Sequence, residues 1–249
     1  MSGKIHVGVG GWTFEPWRGV FYPKGLPHKR ELEYASRALT SIEINGTYYS
    51  TFRPDSWQKW AADTPEGFRF AVKGSRYSTN RRVLSDPLSA KSIARFIEQG
   101  LTHLGDKLGP INWQFMATKK FEADDFEGFL KLLPKEVDGR ALSHAVEIRH
   151  DSFRDSTFYA LARRHGVAIV YAKEETFPEI DEATADFTYA RLMSSREDLD
   201  NGIDPKELKH WVRKARAWAK RGDVFIYFIS GAKVRNPAAA QALIKALGG

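Results

Sequence analysis

The sequence predicts a single-domain α/β fold, a TIM-type (β/α)8 barrel over residues 1–249. Three observations predict it. Eight short apolar segments are spread along the whole chain, helical patterns separate most of them, and within the segments apolar and polar side chains alternate. In a barrel one side chain in two packs under the helices and must be apolar. The other points inward, where polar groups are tolerated mainly near the C-terminal mouth.

The first strand is "IHVGV" from Ile5, and it runs into "GGWTFEPWRGVFYP". There Gly10 and Gly11 let backbone amides approach a ligand and Trp12 is placed to stack on one, while Trp17 and Phe21 suit a packed lid. The second strand, "SIEIN" from Ser41, sends Ile42 and Ile44 outward and leaves Glu43 and Asn45 inward. Its loop carries Tyr48, Tyr49 and Phe52; Phe52 joins the lid and Tyr49 is a ligand candidate. "FRFAVK" from Phe68 ends on an inward Lys73, followed by "GSRYSTNRR", whose Arg76, Arg81 and Arg82 form a basic loop. After Asp86-Pro87, Ile93, Phe96, Ile97, Leu101, Leu104 and Leu108 recur at intervals of three and four, one amphipathic helix.

"INWQF" from Ile111 turns Asn112 and Gln114 inward, and "AVEIR" from Ala145 does the same with Glu147 and Arg149. "VAIVY" from Val167 is a continuous apolar run, and "AKEETFPEIDEATAD" after it contains no regular helix. "FTYARL" from Phe187 sends Tyr189 and Arg191 inward. Asp204, Pro205 and Glu207 read as an N-cap, a first-turn proline and a capping-box acid ahead of Leu208, Trp211, Val212 and Ala215. "VFIYFI" from Val224 is the eighth strand. Asn236-Pro237 opens the last helix in the same way, with Leu243, Ile244 and Leu247 on its inner face.

Bulk composition narrows the chemistry. A 42% hydrophobic, 13% aromatic chain supplies a substantial core and argues against disorder. There is no run of 18 apolar residues and "MSGKIHVGVGG" is no signal peptide, so a cytoplasmic protein with no membrane association is expected. The absence of Cys excludes disulfides, thiolate metal sites and a Cys nucleophile. A net charge of +7 and a pI near 9.5 favour anionic partners, from phosphorylated small molecules to nucleic acid.

The inward charges converge on one mouth. Glu43 and Glu147 face Lys73, Arg149 and Arg191, a positive excess of one that an anion would complete. Paired guanidinium groups suit a phosphate or carboxylate, and Lys73 adds a point charge. Either Glu is a candidate to move a proton, and Asn45, Gln114, Tyr189, Arg81, Trp12 and Tyr49 are candidate binding residues. A carboxylate pair across the mouth also suits glycosidic-bond chemistry, but a Glu beside Arg stays ionised whereas one acid there must be protonated. No H-E-x-x-H or H-x-H occurs, and the cations at strand ends oppose a divalent metal. Neither a phosphate loop nor a dinucleotide fingerprint is present, so no metal and no cofactor are expected.

The motifs "GVGGWTFEPWRGVFYP", "EINGTYY", "FRFAVK", "LGPINWQF", "AVEIRHDSF" and "YARL" run in order over nearly the whole chain. This series resembles the YecE-like family, the domain of unknown function 72. The resemblance implies a TIM-type barrel and supplies no reaction. The chain departs from the family pattern in three places: Asn80 replaces a histidine, "LMSS" containing Met193 replaces "LHG" after Arg191, and "FISGAKVRN" containing Ser230 replaces an asparagine-containing stretch. The expectation is an enzyme, a hydrolase or isomerase, acting on an anionic small molecule. The alternatives are a protein that binds or processes nucleic acid through basic loops and stacking aromatics, and an ion network that only fixes barrel register.

Overall fold

The computed structural model describes residues 2–248. Nineteen helices and strands follow in chain order: β1 (Ile5–Gly10), α1 (Glu31–Ala38), β2 (Ser41–Ile44), α2 (Pro54–Asp63), β3 (Arg69–Lys73), α3 (Arg76–Thr79), α4 (Pro87–Ile97), β4 (Leu108–Gln114), α5 (Ala123–Leu132), the hairpin β5 (Glu136–Val137) and β6 (Arg140–Ala141), β7 (His144–Glu147), α6 (Ser156–His165), β8 (Ala168–Ile169), β9 (Tyr171–Lys173), β10 (Phe187–Leu192), α7 (Pro205–Ala219), β11 (Asp223–Phe228) and α8 (Asn236–Leu247). The main sheet is parallel throughout, in the order β8-β7-β4-β3-β2-β1-β11-β10-β9. Its two ends are halves of the expected sixth strand. β8 pairs with β7, β9 pairs with β10, and Val170 between them donates its N–H to Val146 O at 2.9 Å. The ring thus closes through one bent strand, and the architecture is a TIM-type barrel.

Alternation along the strands divides the apolar residues into two layers. Ile42, Ile44, Val72, Ile111, Trp113, Val146, Leu192 and Ile226 face the helices and join the large outer core. Ala71, Ala145, Ala168 and Val170 line the interior with Tyr189, Phe225 and Tyr227. The small side chains make room for the Tyr189 and Tyr227 rings, whose centroids stand 5.2 Å apart. Gly74, directly after β3, is required by close packing: a Cβ there would fall 2.3 Å from the Trp113 ring. That contact fixes how the chain leaves the barrel after Lys73.

Three expected elements differ from the sequence reading. The amphipathic pattern from Ile93 to Leu108 is broken: α4 ends at Ile97, Gly100 takes φ +96°, and a 3-10 stretch (Leu101–Lys107) completes the buried face. Glu207 does not close a capping box, because its carboxylate accepts instead from Ser194 Oγ and Trp211 Nε1; Asp204 alone caps α7 by accepting from Lys206 N. Asn236 does not cap α8. It is already helical, and its amide donates to Ser230 O at 3.2 Å.

Two histidines are buried in this framework. Trp113 Nε1 lies 3.1 Å from His144 Nδ1, and His144 Nε2 lies 2.8 Å from Pro134 O, so the neutral ring accepts on one side and donates on the other. Burial lowers both His144 and His6 from 6.5 to about 4. In both cases the unfolded chain takes up the proton first. Their contribution to stability is therefore full above pH 6.5 and is lost as pH falls towards 4. Urea denaturation between pH 7 and pH 4.5 is expected to show a falling midpoint, with a limiting loss on the order of 2–4 kcal/mol per histidine. A flat midpoint over this range would contradict the assignment of neutral buried rings.

Candidate functional site

Strand register sets the site. Glu43 lies opposite Gly10 and Ala71, Lys73 opposite Asn112, Gln114 opposite Glu147, and Arg191 opposite Ala172 and Tyr227. Small residues at this level leave the space into which the long side chains lean. Arg191 bridges the barrel: Nη1 donates to Glu147 Oε2 at 2.5 Å and Nη2 to Glu43 Oε2 at 3.2 Å. Asn112 Nδ2 donates to both carboxylates, at 3.4 Å to Glu43 and 3.2 Å to Glu147. Tyr189 OH donates to Glu43 Oε1 at 2.5 Å. Arg149 binds Glu147 Oε1 through both Nε and Nη2, at 2.9 and 2.7 Å.

Gln114 Oε1 gathers the cations above this layer. It accepts from Lys73 Nζ at 2.6 Å and Arg149 Nη2 at 2.7 Å, with Arg191 Nη1 at 3.5 Å. Lys73 also lies 4.7 Å from the centre of the Tyr48 ring, and Arg149 lies 4.5 Å from that of Phe177.

The carboxylates are sealed, and the cations above them line the cavity. Glu43 and Glu147 are 0% exposed, whereas Lys73 (8%), Arg191 (3%) and Arg149 line a cavity of about 560 Å³ at the C-terminal mouth. Its wall also includes Trp12, Asn45, Tyr49, Gln114 and Lys233. Three groups on this wall have no hydrogen-bond partner among the described residues: Arg191 Nε, Asn45 Oδ1 and Asn236 Oδ1. Buried polar atoms are nearly always paired, so their clustering here sets the mouth apart from the core.

Electrostatics follows the geometry. Burial alone would raise the Glu147 carboxyl, but Arg191, Arg149 and Lys73 overcome it and hold the group at about 2. Burial opposes charge on Arg191, yet Glu147 and Glu43 outweigh that and hold its pKa above the ordinary arginine value. Tyr189 is pushed well above the usual phenol range by burial and then by Glu43, so it stays a donor. Lys73 moves the other way, from 10.5 to about 8, through burial first and then Arg191, with Glu147 and Glu43 only partly offsetting them.

Of the residues singled out from sequence, Glu43, Glu147, Tyr189, Lys73, Gln114, Arg149 and Arg191 form one network, with Asn45, Trp12 and Tyr49 on the cavity wall. Trp12 also packs its ring edge-on against Trp60 at 5.2 Å. Arg81 is not brought to the mouth. Its Nε donates to Tyr77 O, and the side chain lines an adjacent groove. His150 turns away to Ser152, and no group of three or more His, Asp or Glu able to hold a metal ion occurs among the described residues. Nor does any described helix have the length and apolarity to cross a membrane.

Sequence reasoning missed Tyr48 and Phe177 over the cations, and Lys233, Ser230 and Asn236 on the wall. Ser230 holds φ +60°, a left-handed conformation rare for a residue with a Cβ, and its carbonyl is held by Asn236. In the sequence this stretch stands out as a departure from the family pattern, "FISGAKVRN", and as the opening of the last helix, with no signal of a place on the cavity wall.

Fold and site together define a (β/α)8 barrel with a buried ion network beneath an open, polar C-terminal mouth. The chain belongs to the DUF72 family, whose model, described as "Protein of unknown function DUF72", matches residues 6–249. Among solved structures it is similar to the DUF72 protein TM1631 of Thermotoga maritima, with 24% identity, a TM-score of 0.79, and 99% of this chain and 100% of that one covered. It is also similar to the DUF72 protein EF0366 of Enterococcus faecalis, with 14% identity, a TM-score of 0.76, and 98% and 96% covered. These likenesses concern the fold. No curated protein matches the chain.

Two substitutions separate the roles of the charges. Glu147→Gln leaves the buried Arg191 and the half-buried Arg149 undercompensated and is expected to cost about 3–5 kcal/mol in chemical denaturation. Lys73→Met removes a charge that burial disfavours, and at pH 7 it is expected to stabilise the fold by roughly 1–3 kcal/mol. That gain is present below pH 8 and fades as pH rises towards 10.5, where the native Lys73 no longer carries the penalty. Destabilisation by Lys73→Met at pH 7 would contradict this balance.

Proposed function

We propose that this protein is an enzyme whose barrel mouth binds the phosphate or carboxylate of a small-molecule substrate, with Arg149, Arg191 and Lys73 as the anion-binding groups. The observation that carries this is the asymmetry of exposure. Three cations meet two carboxylates, and the carboxylates lie below while the cations face the cavity. The positive excess is therefore available to something that enters from solvent. Lys73 supports it further, since its ammonium contacts a neutral amide and a tyrosine ring rather than a carboxylate.

Within the proposal, Glu43 and Glu147 are positioning residues. Glu147 accepts from Arg191, Arg149 and Asn112, and a carboxyl held at about 2 is a poor proton carrier near neutrality. Lys73, at about 8, is the group in the mouth suited to give a proton to a substrate and take one back. A hydrolase or an isomerase acting next to the bound anion uses such a group. Arg149 and Arg191, both restrained by carboxylates, keep the anion in one orientation.

Sulfate is a suitable probe because its charge does not change between pH 6 and pH 10. Calorimetric titration is expected to show sulfate binding that weakens as pH rises through about 8. Lys73→Met is expected to weaken binding at pH 7 by about tenfold and to abolish the pH dependence. Absence of sulfate binding at pH 7, or binding untouched by Lys73→Met, would overturn the proposal in favour of an ion network that serves the barrel alone.

A further inference from the structure

Tyr49 belongs to two cavities. It stands on the wall of the mouth and also on that of a groove of about 510 Å³ between the loop after β2 and helix α4. The groove is cationic. Lys91 and Arg95 project from exposed positions on α4, and neither pairs with a carboxylate among the described residues. Arg76 also has no acidic partner among them; its guanidinium lies 5.5 Å from the centre of the Tyr49 ring and 5.3 Å from that of Tyr77. Among the described carboxylates Arg81 reaches Asp86 alone, at 3.8 Å.

The same groove concentrates exposed apolar surface. Of six large hydrophobic side chains left exposed among the described residues, Tyr49 (63%), Tyr77 (54%) and Leu88 (59%) line it. Scattered single exposures are ordinary, but three around one depression form a patch. Aromatic faces interleaved with unpaired cations suit a flat ring next to an anionic group: the ring stacks and the cations take the charge.

We infer that the Tyr49–Tyr77 groove is the second half of the ligand site. It takes a planar ring against the tyrosines and a further anionic group at Lys91 and Arg95. The inference rests on the mouth binding one anion, as proposed above, and extends it to a ligand class: a molecule with two phosphates joined through a nucleoside-like ring system. Such chemistry occurs in free nucleoside bisphosphates and in a single strand of nucleic acid, and the two sources differ in length.

Calorimetry with inorganic phosphate, adenosine 5′-monophosphate, adenosine 3′,5′-bisphosphate and a 5′-phosphorylated tetranucleotide tests it on the full chain. At least one of the two probes that carry more than one phosphate group, the 3′,5′-bisphosphate or the tetranucleotide, is expected to bind about tenfold or more tightly than the monophosphate. Lys91→Ala with Arg95→Ala is expected to erase that advantage while leaving inorganic phosphate and monophosphate binding unchanged. Tyr49→Ala is expected to weaken every nucleotide probe and spare inorganic phosphate. An advantage for adenosine 3′,5′-bisphosphate identifies a free nucleotide, and one confined to the tetranucleotide identifies a strand. If phosphate binds but neither longer probe gains, or the gain survives the double substitution, the groove assignment is overturned and the mouth proposal stands. If no probe binds, both fall.

Discussion

Everything at the mouth depends on one guanidinium. Arg191 reaches across the barrel from β10 and holds Glu43 of β2 and Glu147 of β7 at once, and it is itself buried. A buried charge is costly unless it is paired, and here Arg191, Glu43, Glu147 and Arg149 pair with one another. Glu147 in turn fixes Arg149, and Gln114 ties Arg149 to Lys73. The network has a polarity: acids at the bottom, cations at the top. Pairing is complete for the carboxylates and incomplete for Lys73 and for the buried Arg191 Nε, so the unmatched positive charge lies on the cavity side of the network.

The barrel makes this possible at low structural cost. Ala71, Ala145 and Ala168 inside, with Gly10 opposite Glu43, leave a narrow chamber that long polar side chains fill from the strand ends. The outer layer, dense in Trp and Phe, supplies the stability that a charged interior does not. Lys73 then reads as a residue kept against the interest of the fold. Its depressed pKa records a penalty at neutral pH, and a functional demand is the natural reason for a chain to retain such a penalty.

Much of this was legible from alternation alone. A charge between two outward apolar residues, as in Ile42-Glu43-Ile44 or Val146-Glu147-Ile148, can only face the barrel axis, and that rule located the acids, Arg149, Arg191, Gln114 and Lys73. The depth of each side chain was not legible, because alternation gives direction and not distance along the axis; hence sealed carboxylates and accessible cations looked equivalent. The break at Val170 carried no signal, since "VAIVY" is uniformly apolar and the switch from pairing with β7 to pairing with β10 depends on strands distant in sequence. Arg81 was placed near the mouth because it follows Lys73 closely in sequence, but α3 carries the chain outward and its backbone contact to Tyr77 keeps it there. Lys233 and Phe177 meet the network only through the folding of distant loops.

The central claim is that the mouth holds a positive charge with no acidic partner of its own. Nuclear magnetic resonance titration of the Lys73 ammonium in ¹⁵N-lysine-labelled protein reads that charge directly. A midpoint near 8 is expected in the absence of anions, with an upward shift when sulfate is added. A midpoint at the ordinary lysine value near 10.4, unmoved by sulfate, would contradict it.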